Sequence, residues 1–317
     1  MTSFVRGDDF QFDADDIYWI HWEDRQFGQP QENQELADEL KLVEQGLLAL
    51  KRKGVRLVWT VHNFLPHNSA RDMAAIDAGR KMLVPMMDVV HVHTPHAKQV
   101  MSEAYKISED QLCVVSHPSY LGQLEAQDIT LARRDVLPKQ DRRAFIHIGK
   151  VQENRGGQFL WAGLKTLAKH TDAWKIDIAG KVSRSERRGL RWIRKMGNVN
   201  MPDRFLPDDE FRDMVAAAHV CVAPFERVFS SGSIMMALTF GLPVVAPDLP
   251  AIRDHLPKPL HRFLYSPGNK RAFMLAMRGF VLMEDAELLE LRRIAMDHAL
   301  SIQPLHQSKA LHDRIVE

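Results

Sequence analysis

Short apolar runs of strand length alternate with longer, helix-like segments along the first third of the chain. The apolar runs are nearly continuous, and the segments between them, 32–53 and 69–87, carry apolar residues at spacings of three and four. Near-continuous apolar strands separated by helices are typical of a parallel sheet covered on both faces. The predicted strands are 17–21 (IYWIH), 55–61 (VRLVWTV), 89–93 (VVHVH) and 112–116 (LCVVS).

The same alternation returns after a polar stretch, 121–143, that contains Pro138 and is predicted to be the interdomain linker with a short helix. We therefore predict an α/β fold made of two Rossmann-like, doubly wound domains. The predicted parts are a first domain at 1–125, a linker at 126–142, a second domain at 143–300 and a C-terminal helix at 301–317. In the second domain the predicted strands are 144–149, 174–180, 219–223, 243–246 and 262–265, and the helices are 157–170, 184–195, 208–218 and 232–240.

Composition excludes several classes of protein. The chain has 42 basic and 41 acidic residues and a formal net charge of +1, so no basic field indicates a nucleic-acid partner. Its two cysteines, Cys113 and Cys221, lie in separate apolar runs and predict no disulfide scaffold. The first 16 residues contain no apolar signal segment, and no run has the ~20 apolar residues of a membrane span. We expect a cytoplasmic protein, at most attached to the inner face of a membrane.

The strongest local signal is the segment FIHIGKVQENRGG at 145–157. It predicts a strand that ends in Gly149, a short loop, and a helix that begins near Gly157. The first backbone N–H groups of such a helix are available to an anion, and Lys150 and Arg155 add two cations. This pattern suits a diphosphate. The alternative is a pair of solvated loop cations beside an ordinary turn.

A second segment, VCVAPFERVFSSGSIMMALTFGLPVV at 220–245, also predicts a strand, a polar loop and a helix. Ser230, Ser231 and Gly232 stand just before that helix and combine hydroxyl groups with a bare backbone donor. The alternative is a plain helix cap.

Together these segments resemble the donor domain of GT-B glycosyltransferases. The resemblance implies that Gly149, Lys150, Arg155 and the Ser-Ser-Gly turn hold the diphosphate of a nucleotide sugar. It also suggests contacts to the sugar or nucleotide from His117, Gly180 and Glu226. Two departures are present: Lys and Arg stand in inverted order, and Val228 and Met236 occupy the positions of two glutamates in the large retaining family.

The first half narrows the resemblance. The motifs IHWED at 20–24, TVHNFLPHN at 60–68 and VVSHPSY at 114–120 are similar to a bacterial exopolysaccharide subgroup, most of all the xanthan-type mannosyltransferase. That subgroup implies a GDP-sugar or other nucleotide-sugar donor and a glycan or polyprenyl-linked acceptor. The acceptor-side domain looks trimmed, because only about 16 residues precede the strand that ends in HWED. Either the family is shortened or another chain supplies the missing part.

Histidines and carboxylates at strand ends are the catalytic candidates. His62 closes a predicted strand and, in the related enzymes, the matching residue approaches the donor sugar. We expect it at the crevice between the domains, facing the donor motifs. If the reaction inverts configuration, which the resemblance favours, Glu23 or Asp24 would be the general base. Alternatively, these carboxylates cap a loop or pair with Arg25.

Metal binding, membrane contact and a different function are the alternatives to this interpretation. His91 and His93 have no partner at zinc-like spacing, so we expect neither a metal nor another cofactor. The basic segment 184–195 could contact a membrane, or it could be a solvated outer helix. Finally, the missing glutamates allow a non-catalytic nucleotide-sugar-binding or assembly subunit, and an epimerase of the same fold is a further rival.

Overall fold

The computed structural model describes residues 12–23, 27, 33–64, 72–152, 155–193 and 195–316. The chain divides into two compact units, each with its own parallel sheet. The first unit comprises Met1–Ser116 together with Lys309–Glu317, and the second comprises His117–Ser308. The predicted fold class, α/β with two Rossmann-like domains, is confirmed.

The first unit has a four-stranded sheet in the order β1-β2-β3-β4, and every neighbouring pair is parallel. Because consecutive parallel strands need a crossover, a helix follows each of the first three strands. The strands are β1 (Ile17–Ile20), β2 (Arg56–Thr60), β3 (Val89–Val92) and β4 (Leu112–Val114). The helices are α1 (Asn33–Arg52), α2 (Met73–Leu83), followed by a 3-10 turn at Val84–Met86, and α3 (Pro95–Tyr105).

The two faces of this sheet are covered differently. On one face, Leu57, Trp59 and Val90 are fully buried, and α1 and α3 contact the strands β2 to β4. On the other face, the end of the last helix, α12 (Pro304–Val316), covers part of the sheet. There Leu311 and Ile315 pack against Val58, Val89, Cys113 and Val115.

The second unit has a six-stranded parallel sheet in the order β10-β9-β8-β5-β6-β7. The chain enters at the central strand β5, adds β6 and β7 on one side, and then returns to add β8, β9 and β10 on the other. The order therefore reverses between β5 and β8, and ligands of doubly wound sheets bind outside the carboxyl ends of strands at such a switch point. The strands are β5 (Arg143–Ile148), β6 (Trp174–Ala179), β7 (Val199–Asn200), β8 (Val220–Val222), β9 (Val244–Pro247) and β10 (Leu264–Tyr265).

Helices surround this sheet and share its core. The close contact between the helices Gly157–Leu167 and Lys270–Leu282 depends on Gly163, because a Cβ there would lie 2.1 Å from Cε1 of the buried Phe273 ring. The helices are α4 (Gln127–Leu131), α5 (Gly157–Leu167), α6 (Leu190–Ile193), α7 (Asp208–Ala216), α8 (Gly232–Thr239), α9 (Pro250–His255), α10 (Lys270–Leu282) and α11 (Asp285–Ser301), with 3-10 turns at Glu186–Gly189 and Lys258–Phe263.

The boundary between the units lies earlier than the sequence analysis placed it. Residues 117–125, grouped there with the first domain, are hydrogen bonded within the second unit. The backbone N–H of Ser119 donates to the carbonyl of Ile302 at 2.9 Å, and that of Tyr120 donates to Oγ1 of Thr239 at 2.9 Å. Residues 126–142, predicted as a linker with a short helix, do contain the short helix α4, but they are part of the second unit, where Arg134 binds both carboxylate oxygens of Asp297 at 2.7 and 2.8 Å.

The basic segment 184–195 is a 3-10 turn followed by the single-turn helix α6, rather than one long helix. Leu190 and Ile193 are buried in the core of the second unit, while the ring of Trp192 is 41% exposed. Leu190 and Ile193 therefore face the domain, as the alternative interpretation of a solvated outer helix requires, whereas Trp192 lies partly in solvent. In the described part of the chain, no helix has both the length and the apolar character to cross a bilayer.

We expect the second unit to lose stability as the pH falls from 7 to 5, because it buries neutral histidines. Burial lowers the pKa of His147 to about 4 and that of His255 to about 3. At pH 5 these side chains are protonated only in the unfolded chain, whose histidines titrate near 6.5, so each lowers the free energy of unfolding by about 2 kcal/mol relative to pH 7.

Urea unfolding of His147→Gln at both pH values tests this expectation. The variant should lose about 2 kcal/mol less than wild type between pH 7 and pH 5. The exposed His170, replaced in the same way, is the matched control. Equal pH dependence in wild type and His147→Gln would show that the buried ring is not responsible.

Candidate functional site

The switch point of the second sheet is built by glycines. Gly149 ends β5 with a φ of 101°, and Gly156 caps α5 with a φ of 69°, both in the left-handed region that favours glycine. A Cβ at Gly180, which follows β6, would lie 2.2 Å from the carbonyl oxygen of Gly149. Gly180 is therefore required for the close approach of the ends of β5 and β6. This packing role explains the glycine in the motif, and no contact to a ligand is needed to explain it.

A second close approach joins the two predicted motifs. A Cβ at Gly156 would lie 1.8 Å from the carbonyl oxygen of Pro224, in the loop that follows β8. Only a residue without a side chain fits there. The turn after β5 and the loop after β8 are thereby packed together at the carboxyl edge of the sheet, where the switch-point rule places a ligand.

Arg155 lies directly over the turn. Its Nη1 atom is 2.8 Å from the position that a Cβ of Gly149 would take, and its guanidinium lies over the Phe225 ring at 5.7 Å. The side chain is half-buried, and burial lowers its pKa. Among the described residues no carboxylate pairs with it. A desolvated cation without a counter-charge attracts an anion, whereas Lys150 is exposed at the edge of the same turn.

The start of α8 faces this turn. Ser231 is a helix cap, since its Oγ accepts a hydrogen bond from the N–H of Ile234 at 3.3 Å. Its neighbour Ser233 places Oγ 3.5 Å from the Cβ position of Gly149. The unbonded N–H groups at the start of α8 therefore lie beside the Gly149 turn. Ser230 is half-buried and precedes the cap.

Two aromatic residues also meet the start of α8. A Cβ on Gly232 would lie 2.6 Å from the hydroxyl of Tyr120 and 3.8 Å from Nε2 of His117. Burial lowers the pKa of His117, while its hydrogen bond with the Pro118 carbonyl at 2.8 Å opposes that shift, so a neutral ring is favoured. His117 thus lies at the group of residues predicted to bind the donor. The sequence analysis did not single out Tyr120 or Ser233, although both belong to motifs that it quoted.

The residues at the positions of the two missing glutamates, Val228 and Met236, contribute to the packing of the second unit. Met236 is buried, and Val228 packs against the core of the second unit. Glu226, proposed as their substitute, is exposed. The structure therefore gathers Gly149, Arg155, Ser231, Gly232 and His117 at one edge and leaves Glu226 facing solvent.

In the first unit, aromatic rings gather at the carboxyl ends of β1 and β2. His62 Nε2 lies 3.0 Å from Nδ1 of His21, and the Trp22 ring stacks on His62 with centroids 4.4 Å apart. Burial lowers the pKa of His21, which favours the neutral form of that ring at pH 7. His62 follows β2 by two residues and thus lies at the carboxyl edge of the first sheet. Its position relative to the donor motifs stays a prediction.

Glu23 has a different environment from the one expected of a general base. It is 3% exposed, and its Oε1 accepts hydrogen bonds from Nε and Nη2 of Arg80 at 2.8 and 2.6 Å. Its Oε2 accepts from Nε1 of Trp59 at 3.2 Å. Burial raises the pKa of Glu23, and the Arg80 charge opposes this shift. A carboxylate with both oxygens engaged in the interior cannot reach an acceptor hydroxyl, so this assignment is corrected. Asp24 lies outside the described residues.

Arg80 also holds the loop that follows His62. Its Nη1 and Nη2 donate to the carbonyls of Phe64 and Asn63 at 2.6 and 2.8 Å. One buried guanidinium therefore joins the loop after β1, through Glu23, to the loop after β2. The sequence analysis missed this residue, because nothing local in helix α2 distinguishes it from a surface arginine.

The described histidines, cysteines and carboxylates form no cluster of three that could hold a metal ion. The ring nitrogens of His91 are instead 3.0 Å from Oγ1 of Thr60 and 2.9 Å from the carbonyl oxygen of Val115.

Comparison with known proteins agrees with this geometry. Residues 142–281 match the sequence model of the family described as Glycosyl transferases group 1. None of the curated protein sequences compared with the chain matches it. The comparisons define the fold: the chain has the fold of GT-B glycosyltransferases, and within its second unit residues 142–281 are similar in sequence to the group 1 family.

Among solved structures, the chain is similar to S. aureus TarM in complex with fondaparinux, alpha-GlcNAc-glycerol and UDP, with a TM-score of 0.67, 12% identity, and 86% of this chain and 53% of TarM covered. It is also similar to Anabaena HepE with UDP and glucose, at a TM-score of 0.64 and 15% identity over 88% of this chain and 76% of HepE. A Burkholderia xenovorans alpha,alpha-trehalose-phosphate synthase (UDP-forming) gives a TM-score of 0.69 and 11% identity over 96% of this chain and 74% of the synthase. The chain thus spans about half the length of TarM and about three quarters of the other two.

We expect Glu23→Gln to lower the free energy of unfolding of the first unit by about 3–5 kcal/mol, because it leaves the Arg80 charge buried without a counter-charge. Urea unfolding measures the change. Asp77→Asn is the matched control, since Asp77 pairs with Lys81 on the surface of the same helix, and we expect it to cost less than about 1 kcal/mol. If Glu23→Gln were as stable as wild type, the buried ion pair would not exist in solution.

Proposed function

We propose that the protein is a glycosyltransferase that moves a hexose from a nucleoside-diphosphate sugar to a glycan or lipid-linked oligosaccharide acceptor. The observation that carries this proposal is the position of Arg155. It lies half-buried over Gly149, at the switch point of the donor-type sheet, with no carboxylate partner among the described residues.

The geometry suits a leaving diphosphate. As the bond between the sugar and the diphosphate breaks, negative charge grows on the phosphate oxygens, and groups that are already oriented stabilise this charge without reorganisation. Arg155 supplies a fixed cation, the start of α8 supplies N–H donors, and the exposed Lys150 can fold over the phosphates from the edge. We propose that these groups replace a metal cofactor.

We propose that the donor is a UDP- or GDP-linked hexose of the glucose or mannose type. The similar structures of HepE and TarM are complexes with UDP, whereas the exopolysaccharide-like motifs favour GDP. The same motifs support a role in bacterial exopolysaccharide synthesis, in the cytoplasm or at the inner face of the membrane.

The proposal for the acceptor half of the reaction depends on His62. Its ring lies beside His21 at the carboxyl edge of the first sheet, where a neutral imidazole can exchange hydrogen bonds with sugar hydroxyls. Because Glu23 is confined to its ion pair, an inverting reaction would take its base from Asp24 or His62. A retaining reaction needs no such base and would depend on stabilisation of the diphosphate.

One observation favours a second candidate function. Val228 and Met236 fill the positions of the two glutamates that contact the donor in the large retaining family, and both are packed against the core. A nucleotide-sugar-binding or assembly subunit without catalytic activity would tolerate this change. Such a subunit would bind the nucleotide but transfer no sugar.

Calorimetry with UDP and GDP tests the donor site. We expect one of them to bind the wild-type protein, and Arg155→Ala to weaken that binding and to lower turnover about 100-fold, as loss of a transition-state charge contact does. Arg278→Ala, which removes an exposed arginine from α10, is the matched control. No binding of either nucleotide at millimolar concentration, or undiminished binding by Arg155→Ala, would overturn the proposal.

The acceptor side is tested by His62→Ala. We expect it to lower transfer to an acceptor about tenfold or more, since it removes a hydrogen-bonding ring beside the sugar, while nucleotide affinity stays unchanged. His312→Ala is the control, because that ring is exposed on the last helix. Transfer rates are compared by radiolabelled-sugar incorporation. An unaltered rate in His62→Ala would remove this residue from the site.

A further inference from the structure

Four aromatic rings form a continuous row at the carboxyl end of β1. Trp19 stacks on His21 with centroids 5.0 Å apart, His21 lies edge to edge with His62 at 5.3 Å, and His62 stacks on Trp22 at 4.4 Å. The interplanar angles are 24°, 24° and 19°, so the rings are nearly parallel. We call these four residues the aromatic platform.

The platform is accessible although its two indoles are large and mainly apolar. Trp19 is 40% exposed and Trp22 is 42% exposed, and His21 is exposed beside them. Large aromatic side chains usually stabilise a fold by being buried, and exposed apolar patches mark binding sites. Both indoles therefore offer ring surface to solvent.

Hydrogen bonds hold Trp19, His21 and His62 in place. The indole N–H of Trp19 donates to Oγ1 of Thr60 at 2.8 Å, and that hydroxyl lies 3.0 Å from Nδ1 of the buried His91. His21 and His62 are joined by their own hydrogen bond of 3.0 Å. Side chains fixed in this way lose little conformational freedom when a ligand binds, which favours affinity.

The chemistry of the platform matches a sugar ring. One face of a pyranose carries C–H groups with partial positive charge, which are attracted to the negative face of an aromatic ring. The hydroxyl groups at the edge of the sugar need hydrogen-bonding partners, and imidazole nitrogens provide them in the same row. A platform that combines indole faces with imidazole edges therefore suits a carbohydrate.

We propose that the aromatic platform binds the acceptor glycan, with one pyranose ring stacked on the exposed indole of Trp22 and a further sugar unit on that of Trp19. The inference rests on the proposed glycosyl transfer and assigns the acceptor subsite within it. The size agrees with a sugar: two indoles exposed by about two fifths offer on the order of 200 Å². A stable protein partner needs about 800 Å² on each side.

The experiment uses the full chain and three variants. Trp22→Ala removes the exposed indole, Trp22→Phe keeps a ring for stacking, and Trp192→Ala is the matched control, because Trp192 is 41% exposed in the second unit. A glycan microarray identifies a carbohydrate that the wild type binds, and titration calorimetry with that glycan gives the affinities. Circular dichroism confirms folding, and UDP and GDP binding are measured on the same samples.

We expect Trp22→Ala to weaken glycan binding about 3- to 10-fold, Trp22→Phe to retain most of it, and Trp192→Ala to leave it unchanged. Nucleotide affinity should be the same in all variants. The inference is overturned if the wild type binds no glycan, or if Trp22→Ala binds the glycan as wild type does. It is also overturned if Trp22 is instead needed for binding to phosphatidylglycerol vesicles. If the wild type bound neither UDP nor GDP, the proposed function would be wrong. The three outcomes named above, in contrast, would contradict only the assignment of the platform.

Discussion

The contact between Gly156 and the carbonyl oxygen of Pro224 is the constraint on which the donor-type site depends. The turn after β5 and the loop after β8 belong to segments about 70 residues apart, and they meet only because no side chain separates them. Their contact places the Gly149 turn beside the start of α8. Arg155, which follows this turn, is then held over it and partly removed from water, so its charge is available to an anion.

In the first unit, two loops are held together by a buried charged residue rather than by a glycine. Arg80 is buried against Glu23 and donates to the carbonyls of Asn63 and Phe64. It thereby fixes the loops that carry His21, Trp22 and His62 relative to each other. A buried ion pair contributes little net stability compared with apolar packing, but the loss of one partner is costly. Here the pair makes the orientation of neighbouring rings specific.

Local sequence patterns predicted the strands, helices and turns. The domain boundary and the environment of Glu23 depend on long-range contacts, which a local pattern does not show. Strands such as 144–149 were predictable because both faces of a parallel strand are buried, which makes the run continuously apolar. The glycine and serine motifs were predictable because turns and helix caps need those residues. By contrast, the attachment of Tyr120 to Thr239 joins residues more than 100 positions apart. Glu23 was assigned as a base because its strand-end position is visible in the sequence, while its partner Arg80 lies 57 residues away.

The central claim is that the diphosphate of a nucleotide sugar binds at the switch point of the second sheet. A crystal structure of the protein with UDP or GDP tests it directly. The account predicts phosphate oxygens within hydrogen-bonding distance of the Arg155 guanidinium and of the N–H groups of Gly232 and Ser233. A nucleotide bound instead in the shallow pocket at the opposite, amino edge of the sheet, lined by Asp141, Lys175 and Asn198, would contradict it.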